Sequence, residues 1–366
     1  MLTLHMADGR RSGARGLFTD DEYARRRAAF TMRVAATPLL RLPALAAALR
    51  VGALWVKDET TRFGLPAFKS LGVEYAVERL RARGALDGIT TLVCASAGNH
   101  GRAVARAARV AGLQARIFLD ADVAPARVDA IASEGAVIER VAGTYDDAVR
   151  LAAAYAAATG ALVVSDTSWP GYSDVPRDIM LGYTHLMDEA EAAWAADGPP
   201  DVCLVQAGVG GLLAAVASWL AWRYGDRRPR LIAVEPARAA CVLASAQAGH
   251  AVSVPGPLTT IMAGLRCGEV SPLAFSVVSD LVDVCVAVDD SWCRAAMRQL
   301  ARPLGADPAL AVGTSGAAGL AALLALEAYP DAAVLTRLGL TADARVMIIA
   351  TEGVTEPELW RDATAP

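Results

Sequence analysis

An α/β protein is the fold class this sequence predicts: two domains with twisted, mostly parallel sheets flanked by helices. Three observations predict it. From residue 91 onward short β-rich runs alternate with longer helical runs, and a strand reaches a parallel neighbour only through such a crossover. The composition is 54% hydrophobic but only 6% aromatic, so a large core can be filled with Ala, Val and Leu. At 366 residues the chain is long enough for two domains.

Taken in order, residues 1 to 19 read as an irregular arm and Asp20 to Phe30 as a charged helix capped by Thr19 or Asp20. Thr37-Pro38-Leu39 is a turn, LPALAAALR a short amphipathic helix, and residues 54 to 59 (LWVKDE) a strand. Arg62 to Leu65 is a loop before a helix over Phe68 to Arg83, which carries apolar residues at helical spacing. The alternation then runs TLVCAS (strand), GRAVARAARVAG (helix), ARIFLD (strand), a helix to Gly135, AVIERV (strand) and YDDAVRLAAAYAAA (helix). Arg102, Arg106 and Arg109 are expected on one outer helix face. Strands follow at 162 to 166, 202 to 207, 230 to 235, 284 to 290 and 345 to 351, with helices from about Arg177 to Ala195 and from Leu212.

Several function classes are disfavoured. A net charge of -4 and a pI near 5.7 give nucleic acid nothing to hold, and Arg25-Arg26-Arg27 reads as a solvated helix face. The six cysteines show no CxxC spacing and read as reduced, buried apolar residues of a cytoplasmic protein. No apolar signal segment is visible at the N-terminus. Val202 to Trp222 carries no charge, but glycines at 208, 210 and 211 divide it into strand, turn and helix rather than a membrane span. Four histidines without ligand spacing do not make a metal site.

Chemistry gathers at strand ends, where parallel sheets bind ligands. Lys57 and Lys69 are the only lysines, the other 33 of the 35 basic residues being arginine. A lysine amine can lose its proton and attack a carbonyl, a role in which arginine cannot replace it. Lys69 is expected at a helix start, where the dipole disfavours its protonated form; Lys57, inside a strand, reads as a partner of carboxylates. Two further turns open helices: Ser96-Ala97-Gly98-Asn99-His100-Gly101, and Ala207-Gly208-Val209-Gly210-Gly211-Leu212. Free N–H groups at such starts favour anions. The first turn is equally an ordinary helix cap. The second, with Glu235 ending the next strand, also imitates a dinucleotide fingerprint, so an NAD-dependent oxidoreductase stays open.

In combination these segments resemble the fold-type II pyridoxal-phosphate enzymes, and within them the diaminopropionate ammonia-lyases. The likeness rests on KDETTRFGLPAFKSLG, GNHGRAVA, DTSWPGY, IMLGYTHLMDEA, QAGVGG, VEP, TIMAGLRCGE, GTSGAAGL and ATEG, which span residues 57 to 353. It implies a cofactor, pyridoxal 5'-phosphate, in a cleft between a large discontinuous domain (1–85 and 166–366) and a small substrate-carboxylate domain (86–165). Lys69, after Phe68, would bond the cofactor and act as base for an L-amino acid. Asn99 would meet the cofactor's phenolic oxygen, Gly208, Val209, Gly210, Gly211 and Leu212 its phosphate, and Thr351 its pyridine nitrogen. Asp166 matches a catalytic carboxylate that holds the substrate's distal ammonium or exchanges a proton with it. Ser96, Ala97, Asn99 and His100 would meet the substrate's carboxylate.

The implied reaction is elimination of the β-amino group of L-2,3-diaminopropionate, giving pyruvate and ammonia. The alternatives are a dehydratase or β-replacement enzyme acting on serine-like substrates and a catalytically silent cofactor-binding homologue. A homodimer is expected, since the family is commonly dimeric. Two departures matter. Relatives reading T-D-G-N-H-G carry an aspartate where this chain has Ala97, which implies weak or absent activity on the D-isomer. Where relatives read G-E-S-G, this chain has Gly313-Thr314-Ser315-Gly316, which removes a charge near the cofactor.

Overall fold

Near-continuous apolar runs such as VCLVQ and VCVAV have no polar face to offer water, so they lie in strands buried on both faces. The computed structural model describes residues 2–7, 12–30 and 34–365. In chain order the elements are β1 (Leu2–Met6), α1 (Asp20–Phe30), β2 (Leu39–Arg41), α2 (Pro43–Ala48), β3 (Ala53–Asp58) and α3 (Lys69–Ala82). Next come β4 (Thr91–Cys94), α4 (Asn99–Ala111), β5 (Gln114–Asp120), α5 (Pro125–Ala132), β6 (Val137–Val141), α6 (Tyr145–Thr159) and β7 (Leu162–Val163). Then α7 (Asp174–Tyr183), α8 (His185–Trp194), β8 (Val202–Gln206), α9 (Gly211–Tyr224), β9 (Arg230–Pro236), α10 (Cys241–Ala248) and α11 (Pro272–Leu281) follow. The chain closes with β10 (Val284–Val288), α12 (Asp290–Ala301), α13 (Ala318–Glu327), α14 (Ala332–Arg337), β11 (Arg345–Ala350) and α15 (Pro357–Thr364).

The strands form two sheets. A seven-stranded sheet runs β1-β10-β9-β8-β11-β3-β2, parallel except for its edge strands β1 and β2. A four-stranded sheet runs β6-β5-β4-β7 and is parallel throughout. Each contains a point where successive connections leave in opposite directions, between β8 and β11 in one and between β4 and β7 in the other. Crevices open at the C-terminal ends of such strands.

Three differences from the sequence reading have physical causes. The N-terminal arm contains β1, whose alternating residues pair with β10, Leu2 opposite Val288 and Met6 opposite Val284. Its partner lies almost 280 residues away (Met6 to Val284), out of reach of any local pattern. The helix expected from Arg177 to Ala195 is two helices that meet at Thr184, whose hydroxyl donates to Leu181 O at 2.6 Å and accepts from Arg26 Nε at 3.1 Å. Arg102 and Arg109 join Glu134, and Arg106 joins Glu74 and the Phe63 carbonyl, so this arginine face clamps α4 to its neighbours.

Close backbone packing sets α3 against α7. A Cβ at Gly182 would lie 2.7 Å from the Leu71 carbonyl, and one at Gly72 would lie 2.5 Å from the Tyr183 ring, so both positions need glycine. Among the described residues no helix is long and apolar enough to cross a membrane; the uncharged stretch 202–222 is β8, a turn and α9.

Candidate active site

The start of α3 is placed by the end of β11. Phe68 N–H donates to the Thr351 carbonyl at 3.1 Å, and Gly353 N–H donates to Pro66 O at 3.0 Å. The loop before it turns through Phe63 (φ 55) and Gly64 (φ 79), so Lys69 is the first helical residue. Its Nζ donates to Asp166 Oδ2 at 2.6 Å and lies 5.3 Å from the Phe68 ring centroid and 5.6 Å from that of Tyr183. The helix dipole therefore does not decide its charge as expected. Burial opposes the ammonium, but the Asp166 carboxylate outweighs it and holds the amine well above the ordinary lysine range.

Asp166 follows β7 in a fastened loop. The Tyr172 hydroxyl accepts from Ser165 N–H at 2.9 Å and donates to Val163 O at 3.0 Å. The Ser168 and Ser271 hydroxyls lie 2.8 Å apart, and Ser271 N–H donates to Val209 O at 2.9 Å, which ties this loop to the glycine turn. Burial works against the Asp166 charge, while the Lys69 ammonium bonded to it holds the carboxyl below the usual range. His100 is turned inward: Nε2 lies 2.9 Å from Val164 O and Nδ1 3.7 Å from Asp166 Oδ2. Its side chain thus faces Asp166, whereas the sequence reading had His100 meet the substrate's carboxylate.

Gly98 caps α4, and its N–H donates to Ser96 Oγ at 3.4 Å; Ser96, Ala97 and Asn99 are half-buried around it. Asn99 Nδ2 donates to Glu352 Oε2 at 2.6 Å, and Glu352 Oε1 accepts from Ser315 N–H at 2.9 Å. Glu352 therefore supplies a carboxyl beside Thr314, where the sequence had lost one. Burial pushes it up against those two donors.

The glycine turn joins β8 to α9. Gly210 takes φ 92 as the cap, and Gly211 and Leu212 are the first helical residues, leaving their N–H groups without helical acceptors. A Cβ at Gly208 would lie 3.0 Å from Cys267 Sγ and 3.2 Å from the Gly264 carbonyl, so the turn packs against that segment too closely for a side chain. Beneath it Gln206 Nε2 donates to Ser315 O, Ile349 O and Thr351 Oγ1 at 2.9 to 3.0 Å. Glu235 is no ribose ligand: buried, it accepts the Val242 and Leu243 N–H groups, both at 2.8 Å, and so caps α10. That removes the acid on which the dinucleotide reading depended.

Thus Lys69, Asp166, Asn99, Thr351 and the 208–212 turn converge. Phe68 and Leu212 contribute mainly buried apolar surface. Tyr183, Gln206, Glu352 and Cys267 also line this region; each lies inside a motif of the resemblance, but the sequence reading gave none of them a role. A primary amine, an anion-binding helix start at a glycine turn, and hydroxyl and amide groups opposite fit a phosphorylated aldehyde cofactor.

Comparison with known proteins agrees. Residues 30–338 match the family model of pyridoxal-phosphate dependent enzymes. The chain is 38% identical over 343 residues to the diaminopropionate ammonia-lyase of Escherichia coli (strain K12), covering 89% of this chain and 86% of that protein. It is 36% identical over 355 residues to the enzyme of that name from Salmonella typhimurium (strain LT2), covering 90% and 87%. The crystal structure of the Escherichia coli enzyme in complex with an aminoacrylate-PLP azomethine reaction intermediate superposes with a TM-score of 0.91 at 36% identity, covering 100% of this chain and 97% of that one. The chain belongs to the pyridoxal-phosphate dependent enzymes, in the branch of the diaminopropionate ammonia-lyases.

Proposed function

We propose that this chain eliminates ammonia from L-2,3-diaminopropionate, the β-amino group leaving and the carbon skeleton ending as pyruvate. The observation that carries the reading is the 2.6 Å contact of Lys69 with Asp166, an amine beside a carboxylate where the glycine turn and the start of α4 meet. Pyridoxal phosphate, when bound, supplies the electron sink that acidifies the substrate's Cα–H and lets a β-substituent depart.

The chain's own groups do the rest. Lys69 would hold the cofactor's aldehyde carbon and, as a free amine, would take the Cα proton of the L-isomer. Backbone N–H groups of Gly208 to Leu212 hold the phosphate. Asn99, its amide oriented by Glu352, meets the phenolic oxygen. Gln206 Nε2 cannot accept a hydrogen bond, so the Thr351 hydroxyl beside it would keep its own proton to donate to the ring nitrogen. A hydroxyl there does not hold that nitrogen protonated as a carboxylate would, which suits elimination. Ser96, Ala97, Asn99 and the free N–H groups opening α4 receive the substrate carboxylate, His100 through its backbone. Asp166 faces the substrate's distal nitrogen and exchanges a proton with it. We read residues 86–165 as the small substrate-carboxylate domain, 1–85 and 166–366 as the large cofactor domain, and the protein as a cytoplasmic homodimer.

The test is a substrate panel scored by pyruvate and ammonia. L-2,3-diaminopropionate is expected to react at least ~10-fold faster than L-serine and than the D-isomer, because the methyl group of Ala97 accepts no proton. Preferred release from L-serine would make the chain a dehydratase, and comparable rates from both isomers would defeat the assignment of Ala97.

A further inference from the structure

We infer that His100 and Asp166 together store one proton, which arrives when the substrate enters and leaves on the departing β-nitrogen. The inference rests on the diaminopropionate reading above.

The geometry fixes where that proton can sit. His100 is 5% exposed, and its Nε2 lies 2.9 Å from the Val164 carbonyl, an obligate acceptor, so Nε2 carries hydrogen. Nδ1 is then an acceptor in the neutral ring, and it is buried with no hydrogen-bond partner. It faces Asp166 Oδ2 at 3.7 Å, about half an ångström beyond the ~3.2 Å limit of a hydrogen bond. Two acceptors turned toward each other repel unless a proton lies between them. Burial pushes His100 down while Asp166 pulls it up, so the ring is neutral with a proton site available.

The surroundings leave that site to the pair. Lys69 and Tyr183 approach from α3 and α7, Cys94 from β4, Tyr172 from the loop after β7, and Cys267 from the segment before α11. Burial pushes both thiols and both phenols up, so all four are neutral near pH 7, and the charges acting on His100 are those of Asp166 and Lys69.

The proton balance closes. An amine attacks carbon only when neutral, so the substrate's α-ammonium must shed a proton on entering; Asp166 takes it and passes it to His100 Nδ1. Later the Cβ–N bond breaks with its electron pair on nitrogen, which as a neutral amine is a poor leaving group. Nδ1 returns the stored proton to Asp166, which delivers it to that nitrogen and is left a carboxylate, and ammonia departs. The pair ends as it began, with a neutral ring and a carboxylate.

His100 acts through Asp166, so the test separates storage from positioning. In His100→Gln an N–H still reaches toward Val164 O, but nothing there takes up a proton. With L-2,3-diaminopropionate kcat is expected to fall ~100-fold, and with β-chloro-L-alanine, which needs the proton taken up but not returned because its chloride leaves unprotonated, by a clearly smaller factor. Equal losses on both substrates overturn the store. A second measurement needs no turnover: with four histidines in the chain, 15N-labelled imidazole resolves each one. Asp166→Asn should move the His100 titration to lower pH, since a carboxylate favours the protonated ring; an unmoved titration overturns the coupling. A wild-type enzyme silent on diaminopropionate defeats instead the proposed function, so the two failures are distinguishable.

Discussion

At Gly208 a single methyl group would meet Cys267 Sγ at 3.0 Å and the Gly264 carbonyl at 3.2 Å. The thiol can swing aside but the carbonyl cannot, so Gly208→Ala shifts the turn. Its affinity for pyridoxal phosphate should fall ~10-fold, about 1.4 kcal/mol, in an absorbance titration of the cofactor-free protein. An unchanged affinity would remove the phosphate from this turn. Residues whose role is local were legible beforehand: a glycine turn ahead of a helix binds anions wherever it occurs, and one of two lysines at a helix start stands out. The charge of Lys69 was not legible, because it depends on Asp166, 97 residues away. Glu352 was passed over beside Thr351, since only the folded chain brings it onto Asn99 and Ser315.

At the scale of elements, the loop that delivers Lys69 is held from below by a buried ionic lattice. Lys57 joins Glu59 at 3.1 Å and Glu189 at 2.7 Å, and Arg62 joins the same two carboxylates at 2.6 and 2.7 Å. Both Arg62 and Lys57 also bond Thr37, ahead of β2. Glu189→Ala would leave two cations facing one buried carboxylate, and should destabilise the protein by ~3–5 kcal/mol in urea unfolding. A loss below ~1 kcal/mol would mean that water or a shifted side chain replaces the carboxylate. That Lys57 pairs with carboxylates was readable from its place before Asp58 and Glu59, but Glu189 on α8 was not. Helices and central strands were legible because their periodicity is internal. The break at Thr184 was not, since it depends on Arg26 arriving from α1.

Across the whole molecule, the parallel sheets followed from strand–helix alternation, whereas the meeting of their strand ends around Lys69 and Asp166 was implied only by the resemblance. Stability carries a less visible signature. Burial pushes the Glu235 carboxyl from 4.5 up to about 8, against the two N–H donors of α10. The folded state then binds the proton more tightly than the unfolded one, so this contribution is complete below pH ~4.5 and is lost as pH rises through ~8. Between pH 5 and 8.5 the Tm of the parent should fall roughly 5 °C further than that of Glu235→Gln, which is neutral throughout. Parallel declines would mean that the folded carboxyl is ionised and its cap alone sustains the charge. The edge strand β1 bears on behaviour in concentrated solution. Without it β10 (VCVAV) would present a bare row of backbone donors and acceptors along an apolar strand, the template on which chains stack edge to edge. Five residues near the N-terminus therefore act as a guard against aggregation, and a purification tag that pries them from β10 would cost solubility while leaving the distant catalytic crevice intact.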